Sequence, residues 1–250
     1  MSKTRTRADQ LLVARGLFES RTKAQAAIEA GRVTADGMPV KKAAEAISTG
    51  AVLVAEPAHP YVSRGGVKLA AALAHFAFDP KGKACLDVGA STGGFTDALL
   101  RAGARRVYAV DVGTGQLHAS LRGRNEIAIL EKTDARKLDR SVIPVPPEMI
   151  AIDVSFISLK KILPNVTALA APGAELVALV KPQFEAGRKL AGKGVVRDSA
   201  VHRAVCEELI AFAATLGWAV IGVVNSPILG GDGNREFLLG ARLAKHAAIS

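Results

Sequence analysis

Asp87-Val88-Gly89-Ala90-Ser91-Thr92-Gly93-Gly94-Phe95-Thr96 stands where the apolar run Ala84-Cys85-Leu86 gives way to an amphipathic stretch. At a strand-to-helix junction of this kind, glycines let the backbone approach a ligand closely and let the helix pack near the strand. Three nucleotide readings compete for the loop. A phosphate-binding P-loop needs Lys and then Ser or Thr after its last glycine, but Phe95 follows Gly94, so no cation reaches a triphosphate. A dinucleotide fold asks for G-x-G-x-x-G, and Gly89, Gly93 and Gly94 have the wrong spacing. The third reading is S-adenosyl-L-methionine, which carries a positive sulfonium and no phosphate, so its site needs a close-approach turn and carboxylates rather than cations.

Short β-rich runs alternate with amphipathic stretches outward from that loop, as expected of a mostly parallel sheet covered on both faces. The strand candidates are ACLDVG, RRVYAVDVG, EIAILE, EMIAIDVS, ELVALVKP and WAVIGVV, with a last run REFLLGARL. The last two are joined by NSPILGGDGN, too short for a crossover helix, so the final strand is expected to be antiparallel. Between ELVALVKP and WAVIGVV, Val201, Val205, Leu209, Phe212 and Leu216 recur at intervals of three and four and predict a helix with one stripe toward the sheet. Asp87, Asp111 and Asp134 fall at the ends of the first three strands. Asp111 is placed to accept hydrogen bonds from both ribose hydroxyls and Asp134 to meet the adenine edge. Each acid alone is also an ordinary cap or turn residue; three at successive strand ends favour the methyl donor. The expected donor-binding set is Asp87, Gly89, Ala90, Ser91, Thr92, Gly93, Gly94, Phe95, Asp111 and Asp134.

Asp153 ends the fourth strand and Lys181 the fifth, the edge at which open α/β sheets bind ligands. Lys68, in SRGGVKL, and Glu236, opening the last strand, join them if the chain folds back as drawn. Two lysines and two carboxylates are also what surface ion pairs look like. A lysine closing the apolar run LVALV, however, is desolvated unless it lines a site.

The 250 residues are 49% hydrophobic and 22% charged, with a formal charge of +10 and a pI near 9.9. This composition excludes wholesale disorder and fibrous repeats and favours a polyanionic partner, nucleic acid before anionic membrane. Residues 1–60 read as a module of their own. Two short helices lie between Ala8 and Ala30, the second capped by Ser20, with Gly16 and Gly31 ending them. Small strands follow around an Asp36-Gly37 turn, and nine basic residues stand against six acidic. Residues 61–250 form the α/β remainder. Candidate RNA contacts are Arg5, Arg7, Arg21, Lys23 and Arg32 in the module, Arg64 after it, and Arg188, Lys189 and Lys193 between Gly187 and Gly194. The alternative for each is a solvated basic surface.

Cys85 and Cys206 are far apart in apolar runs, which argues against a disulfide framework and predicts two buried small hydrophobes. The five histidines show no ligand spacing, so no metal is expected. The basic start MSKTRTRADQ is not a secretory signal, which makes the cytoplasm the default. The uncharged stretch Leu209 to Val224 is shorter than the ~20 residues of a membrane span. Gly217 divides it, and it reads as a helix feeding a buried strand, without membrane insertion.

Taken together, S-R-G-x-x-K, D-V-G-A-S-T-G-G-F-T, D-V-S-F-I-S, L-V-K-P-Q-F-E and G-N-x-E-F resemble the TlyA family, an S4-type RNA-binding domain fused to an FtsJ-like methyltransferase, over essentially the whole chain. The resemblance implies a Rossmann-like α/β methyltransferase sheet preceded by a small α+β S4-type domain. It further implies S-adenosyl-L-methionine-dependent 2'-O-methylation of cytidine in ribosomal RNA, with the RNA or a ribosomal subunit as partner. The family's Lys-Asp-Lys-Glu catalytic tetrad is matched by Lys68, Asp153, Lys181 and Glu236. The chain ends soon after Arg242, without the extra C-terminal helix of longer members, and the shorter form is associated with large-subunit RNA. Two other classes of function stay open at this point: a non-catalytic ribosome-binding factor, and the membrane-active haemolysin after which members are often labelled. For the reaction, Lys181 is expected either to accept the hydroxyl proton as a neutral amine or to stabilise alkoxide charge as an ammonium.

Overall fold

A computed structural model describes residues 4–186, 194–231 and 233–245, and the chain divides into two compact units, Met1–Pro60 and Tyr61–Ser250. Arg188, Lys189 and Lys193 lie outside the described residues.

In the first unit, α1 (Ala8–Ala14) and α2 (Arg21–Glu29) pack together. The Ser20 hydroxyl accepts from the Lys23 amide and caps α2. Asp36 and Gly37, both at positive φ, form the tight turn between β2 (Val33–Ala35) and β3 (Met38–Pro39). β5 (Leu53–Ala55) pairs with the other edge of β2. Two strands absent from the sequence expectation, β1 (Arg5–Arg7) and β4 (Ala46–Ser48), pair with each other. At three residues they are too short for alternation to register. Leu11, Leu12, Phe18, Ile28, Val33 and Ile47 form the core of this unit.

The second unit is built on seven strands: β6 (Ala84–Val88), β7 (Arg106–Val110), β8 (Ile127–Leu130), β9 (Met149–Ile152), β10 (Glu175–Val180), β11 (Trp218–Asn225) and β12 (Phe237–Leu243). Their order is β11-β12-β10-β9-β6-β7-β8. β6 to β10 run parallel, whereas β12 is antiparallel to both of its neighbours. Helices α3 (Arg64–Phe76) and α4 (Gly94–Arg101) supply Leu69, Phe76, Phe95 and Leu99 to the core on one face. α5 (Leu163–Leu169) and α7 (Ser199–Thr215) supply Leu163, Val166, Val205 and Leu209 to the other. A four-residue α6 (Pro182–Glu185) follows β10.

Strand order reverses between β6 and β9, so their outgoing loops flank the crevice in which such sheets bind ligands. Because β12 is antiparallel, its first residues lie at the same edge as the last residues of the parallel strands. Val180 stands opposite Phe237, the last pair of that register, so the adjoining residues Lys181 and Glu236 come to the same edge. One edge thereby gathers residues from six strands.

Three expectations need correction. The buried stripe of α7 is His202, Val205, Leu209 and Ala213. Val201, Phe212 and Leu216 are only half-buried flanks, because the tally of apolar residues passed over a histidine that the core accepts once its ring is hydrogen-bonded. The run WAVIGVV is not a buried strand: β11 is the sheet's outer strand and leaves Ile221 exposed, which its β-branched composition does not reveal. Cys206 is half-buried rather than buried like Cys85. Among the described residues no helix is long and apolar enough to cross a membrane.

Candidate active site

The quoted motifs fit each other like the halves of a clasp. Gly94, opening α4, meets the S-R-G-G segment: a Cβ there would lie 2.3 Å from Ser63 Oγ, 2.9 Å from the Gly66 nitrogen and 3.1 Å from Gly65 Cα. Helices α3 and α4 approach this closely only because both carry glycine at the crossing. At the crevice, Gly89 has φ +86 and would place a Cβ 2.3 Å from the Asp153 carbonyl oxygen. Gly93, at φ +91, would place one 2.4 Å from Leu121. The loop between β6 and α4 is therefore pressed against the start of the loop after β9.

That second loop is joined residue by residue to the segment after β10. The Lys181 ammonium forms an ion pair with Asp153 at 2.6 Å and donates to Ser155 Oγ at 3.0 Å. The rings of Phe156 and Phe184 lie 5.0 Å apart. The Ser158 hydroxyl and Leu159 amide donate to the two oxygens of Glu185. D-V-S-F-I-S and K-P-Q-F-E are thus two sides of one structure, and burial raises the pKa of the Glu185 carboxyl at its closed end. Phe156 is held at φ +63 and is 91% exposed, an aromatic face presented at the sheet edge beside Asp153. The fourth pair is Lys68 on α3 with Glu236, 2.5 Å apart and nearly enclosed, their side chains only 10% and 3% exposed. Lys68, Asp153, Lys181 and Glu236 are therefore two ion pairs, three of the four residues buried.

Beside the glycine loop is a cleft lined by Ala90, Ser91, Ala109, Asp111, Gly113, Gln116, Leu117, Ile129 and Glu131. Asp111 is oriented by two backbone amides, Ser91 at 2.8 Å and Gly113 at 2.7 Å. A carboxylate has about four acceptor positions, so two remain for vicinal hydroxyls. Two acids, an apolar wall and no lysine or arginine suit a cationic nucleoside and disfavour a phosphate. The residues present fit S-adenosyl-L-methionine.

Of the expected donor set, Ala90, Ser91 and Asp111 line this cleft. Thr92 is exposed, while Gly93, Gly94 and Phe95 are buried at the start of α4. Asp134 caps the 3-10 turn Ala135–Lys137 and is engaged by the Arg136 guanidinium, which holds its pKa down at about 2. The acid lining the cleft from the third strand is Glu131, bound by Thr114 and Arg122. It directly follows β8, as Asp111 follows β7, and that shared position was the available signal.

Asp87 lies wholly buried beneath the loop. One carboxyl oxygen accepts from Thr96 Oγ1 at 2.6 Å and the other has no partner among the described residues. Burial pushes its pKa from 3.8 up to about 7; the Thr96 hydroxyl opposes this, and nearby Asp153 and Asp111 add to it. The folded protein then holds a proton that the unfolded chain has released above pH ~4, so stability falls as pH rises through that window to about 7. Asp87→Asn keeps an acceptor for Thr96 and carries no charge. Its melting temperature should gain on that of the native protein between pH 5 and pH 8; parallel curves would show that Asp87 does not titrate there.

In the first unit, every candidate RNA contact has an internal partner. Asp9, fully buried, accepts from Arg7, Arg21 and Gln25 at 2.7–3.2 Å, and these bonds hold its carboxyl well below the usual range. Arg7 and Arg21 share this anchor with their side chains 40% and 51% exposed. Arg5 donates to the Ala46 carbonyl, Lys23 pairs with Glu19 and Arg32 with Glu56. Arg64 is exposed at the start of α3.

The FtsJ-like methyltransferase family matches residues 61–243 and the S4 domain residues 6–53. The 16S/23S rRNA (cytidine-2'-O)-methyltransferase TlyA of Mycobacterium tuberculosis is 43% identical over 249 residues, 98% of this chain and 93% of that protein. The chain belongs to the TlyA family of FtsJ-like methyltransferases. A further TlyA relative, the 23S rRNA (cytidine-2'-O)-methyltransferase of Campylobacter jejuni, is 39% identical over 71% of this chain and 69% of its own. A solved structure from Streptococcus thermophilus, provisionally named a hemolysin, has TM-score 0.75 and 43% identity, covering 97% of this chain and 90% of that one. The TlyA family thus carries both enzyme and hemolysin names. Among the described residues no cluster of His, Cys, Asp or Glu could hold a metal ion.

Proposed function

We propose that this chain transfers a methyl group from S-adenosyl-L-methionine to the 2'-hydroxyl of a cytidine in large-subunit ribosomal RNA. One observation carries the reading: the pair of buried Lys181 with half-buried Asp153 opens on the same sheet edge as a cleft whose acids suit the donor. The relatives' names give the nucleotide and the RNA; 23S rRNA stands in both names and 16S in only one, which favours the large subunit. When bound, the donor supplies an electrophilic methyl group. Asp111, oriented by the Ser91 and Gly113 amides, would hold its ribose end.

A ribose hydroxyl is a weak nucleophile at neutral pH, so the site has to orient it and offset the charge it develops. Lys181, buried and paired with a carboxylate, suits the ammonium role: it stands ready to stabilise the alkoxide, with Asp153 as the adjacent proton acceptor. The exposed ring of Phe156 offers a face for a base drawn out of its stack, the form in which RNA sequence is read. A ribosomal RNA substrate supports a cytoplasmic location.

The test is transfer of labelled methyl from the donor to purified large subunits lacking the modification, followed by mapping of the labelled nucleotide. Label is expected on the 2'-oxygen of one cytidine, and DNA of the same sequence should stay unlabelled for want of the acceptor oxygen. Absence of transfer to both subunits and to free RNA, or label on a base, would overturn the proposal.

A further inference from the structure

We infer that a second site, a seat for the phosphodiester of a nucleotide flanking the methylated one, is formed where the segment before α7 meets the segment before β12. The inference rests on the RNA substrate proposed above and assigns it a contact outside both the S4 domain and the Lys-Asp-Lys-Glu group. A cavity of about 460 Å³ lies there, lined by Val195, Val196, Arg197, Ser199, His202, Gly233 and Arg235.

Two buried polar residues build it. Asn234, only 2% exposed, accepts from the Val196 amide through Oδ1 at 3.0 Å and donates through Nδ2 to the Gly194 carbonyl at 2.8 Å. His202, in the buried stripe of α7, contacts the Val196 carbonyl through Nε2 at 2.9 Å and sets its ring edge against Phe237. The asparagine of G-N-x-E-F is thereby accounted for: it locks the residues before Arg197 to the residue before Arg235. The lock brings two guanidiniums to one cavity from positions 38 apart in sequence.

Among the described residues neither Arg197 nor Arg235 has an ion-pair or hydrogen-bond partner, unlike Arg7, Arg21, Arg122 and Arg136. Asp198 caps α7 by accepting from the Ala200 amide, which places a carboxylate at the helix start, so the attraction for an anion is carried by the arginines. Two arginines among the lining residues of one cavity, with Ser199 and His202 beside them, match the oxygens of a phosphodiester. Arg235 immediately precedes Glu236, the partner of Lys68, so a phosphate seated here belongs to a nucleotide next to the one at the tetrad.

The experiment measures RNA affinity of the full chain across a salt series without donor, for the native protein, Arg197→Ala, Arg235→Ala, the double variant, and Arg203→Ala on the exposed face of α7 as control. Each of the two arginines should cost roughly tenfold in affinity. Each should also lower the slope of log K against log salt by about one, while Arg203→Ala leaves both unchanged. Arg→Lys at either position should retain the slope. Donor affinity and melting temperature, measured in parallel, should stay at native values, which separates loss of a phosphate contact from loss of the fold. Native affinity and slope in the double variant, or equal losses in Arg203→Ala, would overturn the inference, as would absence of RNA binding by the native protein. Because no turnover is involved, a protein that binds RNA through these arginines yet transfers no methyl would sink the proposed reaction and leave the phosphate seat standing.

Discussion

Lys181→Ala should reduce methyl transfer by roughly 10²–10³-fold or more, the range seen when one preorganised charge stabiliser is removed, while donor affinity stays within about twofold of native. The split follows from where the side chain is held. Lys181 is 8% exposed at the end of β10 and is pinned by Asp153 and Ser155, whereas the donor cleft is lined by other residues, from β7, β8 and the loops after β6, β7 and β8. The alanine variant loses the cation beside the reacting oxygen and none of the groups that face the donor's sugar. Asp153 keeps a partly exposed side chain, at 21%, and truncating Lys181 opens space for water beside its buried Oδ1, so the fold should survive, as a melting curve would show. Lys181→Arg retains the charge but not the compact ammonium geometry and should recover only part of the rate. Single-turnover kinetics with saturating donor read the step directly; a Lys181→Ala protein that methylates RNA at the native rate removes this residue from the mechanism.

How much of this could be read beforehand depended on the physical scale of each feature. The seven strands of the second unit were legible because each is an apolar run of four to eight residues, and the antiparallel β12 followed from a connection too short to cross over. Topology then carried Asp111, Asp153, Lys181 and Glu236 to one edge. Which acid after β8 lines the cleft was marked only by Glu131 standing directly after its strand as Asp111 does, a signal blurred by Asp134 three residues on, which instead caps a 3-10 turn. Arg7 and Arg21 read as free cations, since nothing in the spacing reveals that Asp9 is buried between them. Phe156 stands just beyond the fourth strand run, where nothing in the sequence marks it as exposed. Its exposure arises only because Glu185 and Lys181 fasten the loop on both sides of it.

The Lys68–Glu236 pair is expected to act on stability as strongly as on rate, and the two effects can be separated. Glu236 is 5% exposed and Lys68 8%, so Lys68→Met leaves a buried carboxylate with its cation gone. Breaking such a pair costs about 3–5 kcal/mol, which in a chain of this size lowers the melting temperature by about 10 °C. Glu236→Gln alone leaves the lysine's charge without its counter-ion and should cost less, because the amide oxygen still accepts a hydrogen bond. The informative variant is the combination, Lys68→Met with Glu236→Gln: both charges vanish together, no uncompensated ion remains, and most of the lost melting temperature should return. Methyl transfer should not return with it if the pair takes part in the reaction, because neither side chain can then offset charge at the ribose oxygen. A double variant that is stable and inactive assigns the pair to chemistry. One that is stable and active shows that the buried bridge only fastens α3 to the start of β12, leaving Lys181 and Asp153 to carry the reaction.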